Sequence, residues 1–228
     1  MPEESAIVAA PKRRVFFYVD GFNLYYRKLK PAPALRWLNI RKMAEKYIYG
    51  NDLVASVKFF TALVDANHVA SDKRDRQMLY WRVLEAHGVS VVKGCLEERS
   101  RKCNSHNCGQ YLTFTDMCEK RSDVNLALHM LRDYVKHQPD VVAVISADTD
   151  VIPALEMLKQ EAKDLRKKIE LTVFLPCEDK NMYYSRVENF GGIARIRQIN
   201  AEWLANSQFQ STVTLPGGAN AIRPASWA

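Results

Sequence analysis

The sequence predicts an α/β protein, a three-layer α/β/α sandwich built on a central, mainly parallel sheet. Three observations carry that expectation. Short continuous apolar runs rich in Val, Ile and Phe recur along the chain. Segments with helical spacing of apolar residues separate them. The runs lack the polar alternation of a one-sided sheet, so each strand is expected to be covered on both faces, the signature of parallel strands joined by helices.

Taken in order, residues 15–19 (VFFYV) form the first run, stopped by Asp20-Gly21. Residues 53–64 contain the second, SVKFFTALV. Helical spacing follows over 71–87, with Met78, Leu79, Val83 and Leu84 on one face and Gly88 as a C-terminal stop. Residues 89–92 are a third strand. Residues 124–134 are helical, with Leu128, Leu131 and Val135 at fitting offsets. Residues 141–145 (VVAVI) are a fourth strand, followed by a helix through Leu155 and Leu158. Residues 169–175 and 193–196 complete the set. Crossovers between parallel strands are right-handed, so a Rossmann-like arrangement follows.

The chain has 228 residues, 47% of them hydrophobic and 26% charged, with no internal repeat. That composition supports one large domain with a core. We place a flexible N-terminus at 1–13, the folded domain at 14–206 and a flexible C-terminal tail at 207–228, where Gly, Pro and polar residues replace periodic apolar ones. No apolar run reaches the roughly 20 residues of a membrane span. The first residues lack a signal-peptide pattern, so a cytoplasmic location is expected. Lys and Arg total 33 against 26 Asp and Glu, a net charge of +7 that suits an anionic partner.

In open parallel sheets, ligands bind beyond the carboxyl ends of the strands. Two predicted strands end in acids. VFFYVDGFN places Asp20 at the end of the first, with Asn23 three residues on. VVAVISADTD places Asp148 and Asp150 after the fourth. Asp123 opens the helix that feeds that fourth strand. Each acid by itself could simply cap a helix or turn. If the strands are neighbours, the four converge instead, and close carboxylates repel unless a cation neutralises them. An all-oxygen donor set suits Mg²⁺ or Mn²⁺, which could activate water against a phosphodiester.

The succession YVDGFNLYY, EKRSDVNLALHML, VVAVISADTDVIPALEML and LTVFLP resembles the NYN domain of the PIN-like nuclease superfamily, over roughly residues 14–199. The resemblance implies a PIN-like fold and a metal-dependent ribonuclease centre. It carries over to Asp20, Asn23, Asp123, Asp148 and Asp150 as catalytic residues, with the four aspartates as metal ligands. Ser146 and Glu119 match positions near that centre. Glu119 is the only acid directly ahead of Asp123, where the family is often richer in Glu.

Two further segments stand out. Residues 93–118 form a Cys-rich insertion whose Cys95, Cys103, Cys108 and Cys118, with His106, could hold a structural zinc, or could be ordinary reduced thiols. Residues 27–46 are basic, and Arg27, Lys28, Lys30, Arg41 and Lys42, interleaved with Tyr25, Tyr26 and Trp37, could bind RNA phosphates and bases. The bland alternative is a solvated helix face with Trp37 in the core. The function expected is endoribonuclease hydrolysis by metal-activated water, with RNA as partner and a homo-oligomer left open. The alternatives are a non-catalytic RNA- or protein-binding module of the same fold and a haloacid-dehalogenase-type phosphatase.

Overall fold

The computed structural model describes residues 12–50, 52–63, 71–102 and 113–228. Strand β1 (Arg14–Asp20) leads into the short helix α1 (Gly21–Leu24) and a π-helical turn at Tyr25–Leu29. Helix α2 (Ile40–Tyr47), strand β2 (Leu53–Thr61), helix α3 (Ser71–Ala86) and strand β3 (Val89–Lys93) follow. A ribbon of β4 (Cys95–Lys102) and β5 (Thr113–Lys120) precedes helix α4 (Ser122–His137). The second half runs β6 (Val141–Ile145), α5 (Ile152–Asp164), β7 (Glu170–Leu175), α6 (Lys180–Phe190), β8 (Arg195–Gln198) and α7 (Ala201–Ala205). A small hairpin, β9 (Thr212–Thr214) and β10 (Asn220–Ile222), follows, and then a 3-10 turn at Ala225–Trp227.

The central sheet has six strands in the order β3-β2-β1-β6-β7-β8, every neighbouring pair parallel. Helices cover both faces, giving the three-layer α/β/α sandwich expected from the apolar runs. Alternate residues of one strand feed two cores: Val15, Phe17 and Val19 pack with α2 and α3, while Phe16 and Tyr18 pack with α4 and α5. Two-sided burial is why β1 reads as an unbroken apolar run. The strand order reverses between β1 and β6, so a crevice opens at their carboxyl ends.

Helix faces departed from expectation in two places. On α3 the buried face is Tyr80, Trp81, Val83 and Leu84, with Met78 exposed. On α4 it is Leu126, Met130, Asp133 and Tyr134, while Leu128 and Val135 face outward. In both helices the apolar residues occupy more than one face, so spacing alone left the buried one undetermined.

The largest correction concerns the C-terminal segment. Residues 207–228, expected to be a flexible tail, pack into the core. Phe209, Val213, Leu215 and Ala221 are buried. The Trp37 indole N–H donates to the Gln210 carbonyl at 2.8 Å, and the Phe209 N–H donates to the Trp37 carbonyl at 2.9 Å. Gly217 and Gly218 take positive φ, 89° and 85°, which lets the chain double back between β9 and β10. The Gly/Pro content marks a tight turn here, not a loose end. At the other terminus Arg13 is also fastened, by ion pairs of 2.7 Å to Asp52 and 2.8 Å to Glu170. Among the described residues no helix is long and apolar enough to cross a membrane.

Candidate active site

Asp20 is the last residue of β1 and is 6% exposed. Its Oδ1 accepts the Asn23 N–H at 2.9 Å, capping α1, and its Oδ2 accepts the Asn23 side-chain N–H at 2.8 Å. The turn is tight enough to need glycine next. A Cβ on Gly21 would sit 2.5 Å from the Phe60 carbonyl oxygen. From β6, Ser146 Oγ donates to Asp20 Oδ2 at 2.9 Å and accepts the Asp148 N–H at 3.0 Å. Asp148 Oδ1 in turn accepts the Asp150 N–H at 3.1 Å. Asp20 and Asp148 therefore do cap the turns they start, but capping uses only part of each carboxylate, since every oxygen carries two lone pairs.

Asn23 is a brace more than a ligand. Its Oδ1 accepts from Arg27 Nε at 2.9 Å and from the Ala147 N–H at 3.3 Å while its amide holds Asp20. The side chain thus ties β1, the π turn and the end of β6 together.

Asp123 stands in the first turn of α4. That helix starts at Arg121, which has φ 76°, and its Ser122 N–H donates to Glu119 Oε1 at 2.9 Å. The Glu119 carboxylate thus satisfies a free N–H of the first turn of α4. The far half of α4 is anchored by a buried network that sequence reasoning missed. Tyr18 O–H donates to Asp133 Oδ2 at 2.9 Å and Lys58 Nζ donates to Asp133 Oδ1 at 2.8 Å. With α4 clamped to β1 and β2, Asp123 is held above the strand ends.

The acids feel one another. Partial burial first, then the charges of Asp20, Glu119, Asp148 and Asp150, push the Asp123 carboxyl up to about 6. Burial also raises Asp20, helped by Asp148 and opposed by the hydrogen bonds from Asn23 and Ser146. Among the described residues no Lys or Arg forms an ion pair with Asp20, Asp123, Asp148 or Asp150.

The NYN domain family model matches residues 14–175, most of the chain. The chain belongs to the NYN domain family. This places it among PIN-like proteins. The NYN chain is also 27% identical to 6-hydroxy-3-succinoylpyridine 3-monooxygenase HspA of Pseudomonas putida, over 94% of its own length and 75% of that relative's. A protein of unknown function from Vibrio parahaemolyticus resembles it with a TM-score of 0.47 and 14% identity, covering 85% of this chain and 97% of that one.

The fit of this NYN domain's acids to a metal is partial in a specific way. Among the described residues no three His, Cys, Asp or Glu side chains stand together closely enough to hold an ion unaided. Mg²⁺ commonly asks for less, binding through one or two carboxylates while waters and substrate phosphates fill the other positions. Asp20 and Asp148, bridged by Ser146 and without an ion pair to Lys or Arg among the described residues, match that smaller demand.

The basic stretch does not form one surface. Arg27 lies at the site, bonded to Asn23. Lys28 is 4% exposed and paired with Glu178 at 3.0 Å, so it is not offered to RNA. Lys30 is exposed, with its Nζ 4.7 Å from the ring centre of the exposed Tyr26. Arg41 donates to Glu45 at 2.9 Å and to the Val54 carbonyl at 2.7 Å. Val54 pairs with Val15 whereas Phe60 pairs with Asp20, so Arg41 and its neighbour Lys42 sit towards the amino end of the sheet, away from the acids. Trp37 is fully buried. The residues that a linear charge count had merged fall on two elements, the π-helical turn and α2, at opposite ends of the sheet.

Of the zinc candidates, Cys103, His106 and Cys108 lie outside the described residues. Cys118 has only its backbone register described, opposite Glu97, and Cys95 Sγ lies 3.8 Å from Glu97 Oε1.

Proposed function

We propose that this NYN domain is an Mg²⁺- or Mn²⁺-dependent endoribonuclease. The observation that supports the reading is the Ser146 hydroxyl joining Asp20 to Asp148 at the strand-order reversal, with Asp123 feeling both charges and none of these acids ion-paired to a Lys or Arg among the described residues. Uncompensated carboxylates at close range are costly, and a hard divalent cation is the partner that removes the cost. Nucleases of this superfamily generally use such metals, which supports the choice. Asp20 and Asp148 would hold the ion, with Asp150 at the rim. When bound, the ion would supply charge neutralisation and Lewis acidity at the phosphodiester. Asp123, which burial and the neighbouring acids raise in the metal-free protein and which a bound cation would lower again, would take a proton from the attacking water. Ser146 and Asn23 fix the Asp20 carboxylate by their hydrogen bonds.

A second reading rests on the Pseudomonas relative, whose name gives it as a monooxygenase acting on a hydroxypyridine. Its 94% coverage of this chain makes it worth a parallel assay. Purified protein is incubated with end-labelled single-stranded RNA plus Mg²⁺, Mn²⁺ or EDTA, and separately with the hydroxypyridine, dioxygen and a two-electron reductant. Internal cleavage that needs the metal and is lost in Asp148→Asn supports the ribonuclease. Reductant-dependent oxygen uptake without RNA cleavage replaces it with the second reading. Inactivity in both arms, with RNA still bound, leaves a non-catalytic module.

A further inference from the structure

Beside the acids, the carboxyl edge of the sheet carries two guanidiniums that no carboxylate neutralises among the described residues. Arg27 leaves the π turn with Nε bonded to Asn23 Oδ1 at 2.9 Å and Nη1 only 3.0 Å from Sδ of Met182 on α6. A thioether is a weak acceptor, so most of that fork's donors lack a strong partner. Arg186 stands one turn beyond Met182 on the same face of α6. Its Nε is buried and has no hydrogen-bond partner among the described residues. The buried Cys177, just past β7, feels both guanidiniums, whose charges draw its thiol back down against the upward push of burial. Helix α6 also packs against the turn at 149–151 that carries Asp150.

Two like charges brought to the same stretch of α6 and to Cys177 repel, and a buried N–H without an acceptor is costly. An oxyanion reached by both forks relieves both costs, because guanidinium donors match phosphate and carboxylate geometry. We infer that Arg27 and Arg186 form an oxyanion subsite flanking the acidic centre. The oxyanion is either a phosphodiester adjacent to the scissile one or the carboxylate of a small organic acid. The choice of an RNA phosphate rests on the ribonuclease reading; the subsite itself does not. The arrangement orients substrate by charge: the anionic group is drawn to the arginines, and the reacting bond falls over the acids.

The test uses the full chain in EDTA, so that binding is read without metal or turnover. The probes are inorganic phosphate, sodium succinate and a short single-stranded oligoribonucleotide, followed by calorimetry. Arg186→Met is the informative variant, because Arg27 also braces Asn23; Lys163→Met, an exposed change on α5, is the control. Arg186→Met should weaken phosphate and oligonucleotide binding about tenfold and reduce the salt slope of the oligonucleotide by about one. Lys163→Met should bind as wild type does. Binding of succinate but not oligonucleotide, weakened by Arg186→Met, keeps the subsite and overturns the RNA reading. Unchanged binding of every probe by a variant that melts like wild type overturns the subsite, whatever the cleavage assay finds. Should Arg186→Met not fold, the Arg186 Nε–H resonance of the wild-type protein decides. Movement on phosphate titration supports the subsite, and a fixed signal at saturating phosphate ends it.

Discussion

Ser146 Oγ donates to Asp20 Oδ2 at 2.9 Å across 126 positions of sequence, and the same hydroxyl accepts the Asp148 N–H at 3.0 Å. One oxygen thereby sets the spacing between the two carboxylates that end β1 and follow β6. Removing it takes a stabilising donor from a buried carboxylate and leaves a part-buried N–H without its partner. Ser146→Ala is expected to destabilise the protein by about 1–3 kcal/mol. It should also raise the Asp20 pKa further, since that hydrogen bond holds it down. Urea unfolding and the pH dependence of metal binding measure the two effects. Unchanged values for both would reduce Ser146 to a bystander.

Asp148→Asn should abolish RNA cleavage with the fold intact. The change is nearly isosteric and removes one charge that pushes up both Asp20 and Asp123. Loss of at least about a hundredfold in turnover is expected, since even outer groups of metal sites cost 10–100-fold. In EDTA the variant should melt no lower than wild type, because carboxylate repulsion is relieved. Wild-type turnover at saturating Mg²⁺ and Mn²⁺ would make Asp148 a cap and nothing more.

The pH dependence of stability has a defined sign at this site. An unfolded aspartate titrates near 3.9, while Asp123 in the folded protein titrates at about 6. Between those values the folded state holds the extra proton, so Asp123 destabilises the fold as pH rises through about 4 to 6. Asp20, also raised, acts in the same direction. The melting temperature of wild type minus that of Asp123→Asn, both in EDTA, should fall across that window. A flat difference curve would show that the acids do not feel one another.

Phe209 packs its ring 5.9 Å from Trp37 and 4.8 Å from His87. Phe209→Ala should therefore cost about 3–5 kcal/mol, as for other buried aromatic truncations. Removal of residues 207–228 should cost more, because Val213, Leu215 and Ala221 leave the core as well. Urea midpoints within error of wild type would return this segment to the status of a tail.

The central sheet was legible because its strands are buried on both faces, which leaves an apolar run in the sequence wherever a strand occurs. Asp20, Asp148 and Asp150 were legible because an acid that follows such a run must stand at a strand's carboxyl end. Other features depend on partners distant in the chain, and no local pattern encodes them. Ser146 meets Asp20 only because β1 and β6 are adjacent in the sheet. The Gly/Pro-rich terminus looked loose because its partner, Trp37, lies 173 residues before the carbonyl it bonds. Lys28 and Lys30 look alike in a charge count, yet one is paired inside the protein and the other faces solvent. Local sequence determined where strands and their terminal acids fall, since burial and capping act over a few residues. Tertiary structure decided which charges meet, because electrostatic coupling and hydrogen bonding depend on distance in space.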